Sequence, residues 1–292
     1  MMLLLGAPGV GASESSWPVF LAARQRVLRG EGLVLSQTWS GRLDAGALYQ
    51  AVIWRRAVDD GVPCNGMVPC GAHLELYELR DRANGTAELV LRASLNGNGW
   101  LIFEPSNGSD LTGDGIAELV LRDSTGGNCW ACAPLRIFQV IGHQLREVQI
   151  RGPDYLHPQH LADLDGDGYP ELLAIDTRWE FYHGFCHACS PGVWGVFVWR
   201  DGRYEEASRE FPRFYEEKIA ELEASLARSD RADDDIYLSD AVSVFLNYVA
   251  VGQSRQGLSR FRQLISPRPF RQAPWIAAAR EIERDLQERV GL

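Results

Sequence analysis

The chain has 292 residues, 46% of them apolar, and a formal net charge of −10. That length allows one large domain or two ordinary ones. The acidic balance disfavours nucleic acid and anionic lipid as partners, and no apolar run approaches the ~20 residues that cross a bilayer.

Residues 1–12, Met-Met-Leu-Leu-Leu-Gly-Ala-Pro-Gly-Val-Gly-Ala, read as a signal-peptide remnant, with Val10-Gly-Ala12 as a small-residue cleavage site and no basic n-region before it. From there to residue 207 the pattern is short β-type runs punctuated by Gly, Asn and Asp. The expected strands are Gly32–Thr38, Leu48–Trp54, Leu74–Leu79, Ala87–Ala93, Trp100–Phe103, Glu118–Leu121, Leu135–Ile141, Leu145–Ile150, Glu171–Ile175 and Val193–Trp199. From residue 208 to 292 the period becomes helical. Phe214–Arg228 carries Ile219, Leu222 and Leu226 on one face. Ser239 caps a second helix running to Tyr248, Ser254 starts a third with Leu258, Phe261 and Ile265, and Pro274–Val290 is a fourth.

The β part repeats. Cys64…Cys70, Cys129…Cys132 and Cys186…Cys189 are each followed by a strand, a turn and a further run, and the second cysteines fall 62 and 57 positions apart. In the second and third repeats an Asp-Gly loop and a strand come first. The expected fold is therefore mainly β: a propeller-like array of about three four-stranded antiparallel repeats, followed by an α-helical C-terminal segment. Three units are fewer than the ~4–8 blades of a closed propeller, so the ring is open, hides a degenerate unit, or closes differently.

Two stretches carry the chemistry. The first is Asp110-Leu-Thr112-Gly-Asp114-Gly-Ile116-Ala-Glu118; the second is Asp163-Leu-Asp165-Gly-Asp167-Gly-Tyr169-Pro-Glu171. Calcium takes six to eight oxygens at ~2.3–2.6 Å. Oxygens at positions 1, 3 and 5 of a tight loop converge on one point, Gly at position 6 permits the turn, the carbonyl at position 7 adds a ligand, and the carboxylate at position 9 closes the shell. Position 12 is Leu121 or Ala174, and strand follows instead of helix, so neither stretch is an EF-hand. A solvated turn is the plainer reading of either loop, since Asp and Gly favour turns; two such loops, each ending in Glu-Leu before a strand, favour the metal.

These stretches resemble the FG-GAP and VCBS-type repeats, whose motif runs Asp-x-Asp/Asn-x-Asp-Gly-x-x-Asp/Glu-Leu. The resemblance implies Ca²⁺ bound by Asp110, Thr112, Asp114, Ile116 and Glu118, and by Asp163, Asp165, Asp167, Tyr169 and Glu171. It also implies a secreted, periplasmic or cell-surface protein, often a β-propeller. It covers two stretches of about twelve residues, and the chain has no Phe-Gly…Gly-Ala-Pro segment. Thr112 removes a charge from the first site, which is expected to be the weaker. The corresponding loop of the first repeat, Leu43-Asp44-Ala-Gly46, has lost the other aspartates of the motif. The expected affinity is ~10⁻⁵–10⁻³ M.

The six cysteines leave three readings open. Local disulfides, Cys64/Cys70, Cys129/Cys132 and Cys186/Cys189, would clamp strand corners in an oxidising compartment, although local pairing is one of 15 connectivities. Cys129, Cys132, Cys186 and Cys189 would suit tetrahedral zinc, at a separation long for a zinc ribbon. Cys-Trp-Ala-Cys and Cys-His-Ala-Cys resemble thiol–disulfide exchange motifs, but strands follow them where an activating helix is usual.

No nucleophile elbow, Walker loop or zincin motif is present, and no catalytic residue is assigned. His157-Pro-Gln-His160 reads as a polar loop, with a metal role as the alternative. Glu205/Glu206 and Glu216/Glu217 read as solvated faces. Trp39, Trp54, Trp100, Trp130, Trp179, Trp194 and Trp199 fill sheet cores or form a sugar platform. Asn84-Gly-Thr and Asn107-Gly-Ser fit the glycosylation sequon and are also ordinary turns. The expected function is a non-enzymatic binding or structural module with a protein or carbohydrate ligand. The alternatives are a thiol-redox or zinc protein and an accessory domain of a surface hydrolase.

Overall fold

The computed structural model describes residues 17–44, 47–56, 71–81, 87–228, 234–266, 270, 272–289 and 291. The leader-like residues 1–12, Cys64, Cys70, the Asn84 sequon, the Ala45-Gly46 half of the first-repeat loop and residues 267–269 of the Ser266–Pro269 loop lie outside them. Two compact units account for the chain. The first comprises residues 1–127 and 132–148; the second comprises 128–131 and 149–292.

In the first unit, helix α1 (Trp17–Gly30) precedes a meander of β1 (Leu33–Arg42), β2 (Leu48–Arg56), β3 (Ala72–Asp81) and β4 (Ala87–Asn96), all antiparallel. A second meander follows: β5 (Trp100–Phe103), β6 (Leu119–Ser124), β7 (Leu135–Ile141) and β8 (Gln144–Glu147). β2 is buried on both faces. Tyr49, Ala51 and Ile53 share a core with Leu101, Leu119, Leu121, Phe138 and Val140 of the second sheet. Val52 and Trp54, on the opposite face, pack with Tyr77 beneath α1.

Helix α1 was not expected. Its apolar residues Trp17, Phe20, Leu21 and Leu28 recur at helical spacing on one face and cover Val52 and Trp54. Arg24 lies on that face and reaches Glu75 of β3, which is 1% exposed. Arg24 Nε donates to Glu75 Oε1 at 3.1 Å, and Trp54 Nε1 and the Tyr77 hydroxyl donate to Oε2 at 2.8 and 2.9 Å. Burial pulls this carboxyl upward, but hydrogen bonds from His73, Arg24 and Tyr77 carry it down to about 2.

The second unit holds β9 (Ile150–Arg151), β10 (Leu156–Ala162), β11 (Glu171–Asp176), β12 (Trp194–Arg200) and β13 (Arg203–Glu206) in the order β10-β11-β12-β13-β9. Only the β13–β9 pair is parallel. The polar loop expected at His157–His160 is instead strand β10. It is an edge strand with a bulge between Pro158 and His160, the place where a strand tolerates proline. Helices α2 (Pro212–Arg228), α3 (Asp234–Ala250), α4 (Ser254–Ile265) and α5 (Ala273–Arg289) complete the unit. Their residues Tyr215, Leu238, Phe245, Phe261 and Ile282 form one core with Leu173 and Val196 of the sheet. Secondary structure therefore changes near residue 208, inside a unit that begins at 149. α3 is the most buried helix. It begins at Asp234, not at Ser239, with Asp234 and Asp235 in its positive first turn.

Each sheet thus contains the expected four-stranded antiparallel meander, the third extended by β9. A closed propeller is not seen among the described residues.

Candidate metal centre

Both acidic loops connect the first two strands of a meander: 104–118 joins β5 to β6, and 163–170 joins β10 to β11. They share their principal hydrogen bonds. Asp110 Oδ1 accepts the Gly113 N–H at 2.8 Å and its Oδ2 the Gly115 N–H at 2.9 Å. Asp163 does the same with Gly166 and Gly168, at 2.7 and 3.1 Å. The Glu at position 9 reaches back across the loop: Glu118 Oε2 accepts the Leu111 N–H at 2.6 Å, and Glu171 Oε2 the Leu164 N–H at 2.7 Å. Asp114 and Asp167 accept the N–H two residues on, from Ile116 and Tyr169, at 2.8 Å each. The path needs left-handed backbone twice per loop, with φ of 73° and 82° at Gly113 and Gly115 and 81° and 93° at Gly166 and Gly168. Nothing lies within 4 Å of a Cβ built at Gly115, Gly166 or Gly168, so conformation and not space requires glycine there.

These bonds bring carboxylates together. One oxygen from each of Asp110, Asp114 and Glu118 lies within 4.8 Å of the others, and the same holds for Asp163, Asp165 and Glu171. Thr112 joins the first group through its hydroxyl, which donates to Glu118 Oε1 at 3.3 Å. Asp167 is not among the three clustered carboxylates of the second loop. Ile116 and Tyr169 sit beside the clusters with their amides turned to Asp114 and Asp167.

Neither cluster is neutralised by the protein: no ion pair reaches its carboxylates among the described residues. Glu118 is fully buried. Burial pushes its carboxyl up to about 7, with Asp114 and Asp110 adding repulsion against the Leu111 N–H and Gln139 bonds. Glu171 is raised for the same leading reason, opposed by the Leu164 N–H. A buried carboxylate without a counter-charge is costly, and hard oxygens converging from a tight loop are what a hard cation needs. The residues present fit such an ion.

Gln139, on β7, is a site residue that sequence reading missed. Its Nε2 donates to Asp114 Oδ2 at 3.0 Å and to Glu118 Oε1 at 2.8 Å. Strand register puts it there, 21 residues from Glu118 in sequence, and no local motif announces it.

The described cysteines are oxidised. Cys186 and Cys189 form a disulfide, and Cys129 and Cys132 are disulfide-bonded. Disulfide sulfurs have no thiolate for zinc. Three-residue 3-10 turns at Trp130–Cys132 and His187–Cys189 lead into strands. Glu180 Oε1 accepts the Trp130 N–H at 3.0 Å and meets His187 Nδ1 at 2.6 Å. His160 packs edge-on against Trp194, with ring centroids 5.2 Å apart. Of the seven tryptophans between Trp39 and Trp199, Trp54 and Trp179 are buried, and Trp100 is the exposed one. Asn107 Nδ2 is buried, so that sequon offers no accessible glycan acceptor. No helix among the described residues is long and apolar enough to cross a membrane.

Compared with known proteins, the chain matches no family model, no curated protein and no solved structure. The reading of the site rests on its own geometry.

Proposed function

We propose that the chain is an extracytoplasmic β-repeat protein of the FG-GAP and VCBS type, in which two loop-bound Ca²⁺ ions brace strand corners and the repeats act as a binding or structural module for a protein or carbohydrate ligand. One observation carries this: two loops 53 residues apart adopt the same hydrogen-bonded path and each converges three carboxylates without a cation of the protein's own. Clusters of oxygens alone, offered partly by exposed side chains, favour Ca²⁺ over Mg²⁺, which demands near-ideal octahedral geometry and sheds water reluctantly. The oxidised cysteines support an oxidising compartment and speak against zinc or free-thiol chemistry as the main role.

The test is a thermal melt after EDTA treatment, with Ca²⁺ or Mg²⁺ restored. At a hundredfold excess over Kd, binding to the folded state alone adds about 2.7 kcal/mol per site. A saturable rise with Ca²⁺ and none with Mg²⁺ is expected. No rise at millimolar Ca²⁺ would reduce both loops to polar turns.

A further inference from the structure

The two loops share the bonds described above and differ in two places that bear on the acidic cluster. Position 3 is Thr112 in the first loop and Asp165 in the second. The second difference lies on the neighbouring strand. Leu119 pairs with Phe138, so the next position opposite Glu118 is Gln139; Leu172 pairs with Phe197, so the next position opposite Glu171 is Val198. The loop that lacks a carboxylate at position 3 has gained a carboxamide, and the loop that keeps the carboxylate faces a side chain without polar atoms.

Gln139 is 7% exposed and turned into the cluster. Its Nε2 bridges Asp114 and Glu118 at 3.0 and 2.8 Å, whereas its Oε1 makes no hydrogen bond among the described residues. A carboxamide is nearly symmetric in shape, and half a turn about its last torsion exchanges oxygen for nitrogen. Facing bare carboxylates, the N–H side is favoured. Facing a cation held by those carboxylates, the oxygen side is.

Building on the calcium reading above, we infer that Gln139 is a ligand of the cation in the first loop, its Oε1 supplying from β7 an oxygen that the loop itself does not provide. The first site thereby combines three carboxylates with two neutral oxygen donors, Thr112 and Gln139, and spans both strands of the β6–β7 pair. The second site draws its three clustered carboxylates, Asp163, Asp165 and Glu171, from its own loop.

The experiment uses the full chain with the second loop disabled by Asp163→Asn and Asp165→Asn, and measures Ca²⁺ by titration calorimetry and bound water by Eu³⁺ luminescence decay in H₂O and D₂O. Gln139→Ala is expected to weaken Ca²⁺ by roughly tenfold or more and to add a water to the bound Eu³⁺. Gln139→Glu, which keeps the side-chain length and supplies a carboxylate, is expected to bind Ca²⁺ more tightly than its parent. If Gln139 only shields the empty carboxylates, Gln139→Ala binds as well as its parent with unchanged hydration, and Gln139→Glu gains nothing; that result overturns the assignment and leaves the calcium reading intact. Absence of saturable Ca²⁺ binding by the unmodified protein overturns both. Should Gln139→Ala fail to fold, the Gln139→Glu variant decides alone: tighter binding supports the ligand role, and no gain overturns it.

Discussion

Replacing Glu118 by Gln should stabilise the protein in EDTA and at the same time abolish most of the first loop's share of its response to calcium. The carboxyl sits at about 7 in the folded chain against 4.5 for an unperturbed Glu. At pH 8 it is ionised in both states, and the displacement corresponds to about 3 kcal/mol of destabilisation by the buried charge. Screening at the open side of the loop, where Asp114 is exposed, brings this to roughly 1–2 kcal/mol. The Glu118→Gln side chain keeps a carbonyl oxygen for the Leu111 N–H and removes the charge. The expected gain in EDTA at pH 8 is therefore about 2–8 °C in Tm. The sign with pH follows from linkage. Between 4.5 and about 7 the folded chain holds a proton on Glu118 that the unfolded chain has lost, so in EDTA this group's contribution falls as pH rises through that window. Ca²⁺ competes with that proton and reverses the trend. In excess Ca²⁺ the order of the two proteins should invert, since the wild type gains stability at the first loop and the variant has lost a charged ligand there. The assay is a pair of melts at pH 8, in EDTA and in Ca²⁺, for both proteins. A variant that is less stable in EDTA and answers Ca²⁺ as the wild type does would refute the account of Glu118.

Other outcomes follow from the same geometry. Asp165→Ala should weaken Ca²⁺ binding more than Thr112→Ala, because Asp165 is one of the clustered carboxylates and Thr112 offers a neutral oxygen; calorimetry showing equal effects would contradict the ranking. Arg24→Ala strands Glu75, which is 1% exposed, and should cost about 3 kcal/mol, read as a lower urea midpoint; a loss under about 1 kcal/mol would mean that α1 is held by its apolar face alone. Because the Glu75 carboxyl is depressed to about 2, the stability it contributes is present above 4.5 and disappears as pH falls toward 2. Cys129, Cys132, Cys186 and Cys189 should give no reactive thiol in denaturant until a reductant is added; more than two thiols per chain beforehand would break the disulfide assignment.

Much of the architecture was legible because it is written at short range. Trp100–Phe103 and Leu135–Ile141 are strands over their expected spans, since apolar residues bounded by Asn, Gly and Asp specify extended chain and turn locally. The paired acidic loops were legible for the same reason: Asp at position 1, Gly at position 6 and Glu at position 9 meet within nine residues. The exceptions also have local causes. Pro158 concealed β10, which tolerates it only as a bulged edge strand, and α1 was concealed by a face that mixes Trp17, Phe20 and Leu28 with Arg24, whose charge makes sense only against Glu75.

By itself the sequence determined most of the strands, the turns that separate them, the helical C-terminal stretch and the two acidic loops, because these depend on neighbours within about one strand length. The tertiary structure decided what depends on register and burial. It placed α1 over Trp54, joined the third sheet to α2–α5 in one core, drew Asp165 and not Asp167 into the second cluster, and set Gln139 opposite Glu118. Strand pairing sets such contacts between residues far apart in the chain, and desolvation of Glu118 follows from everything packed around it; neither quantity is a property of a sequence window.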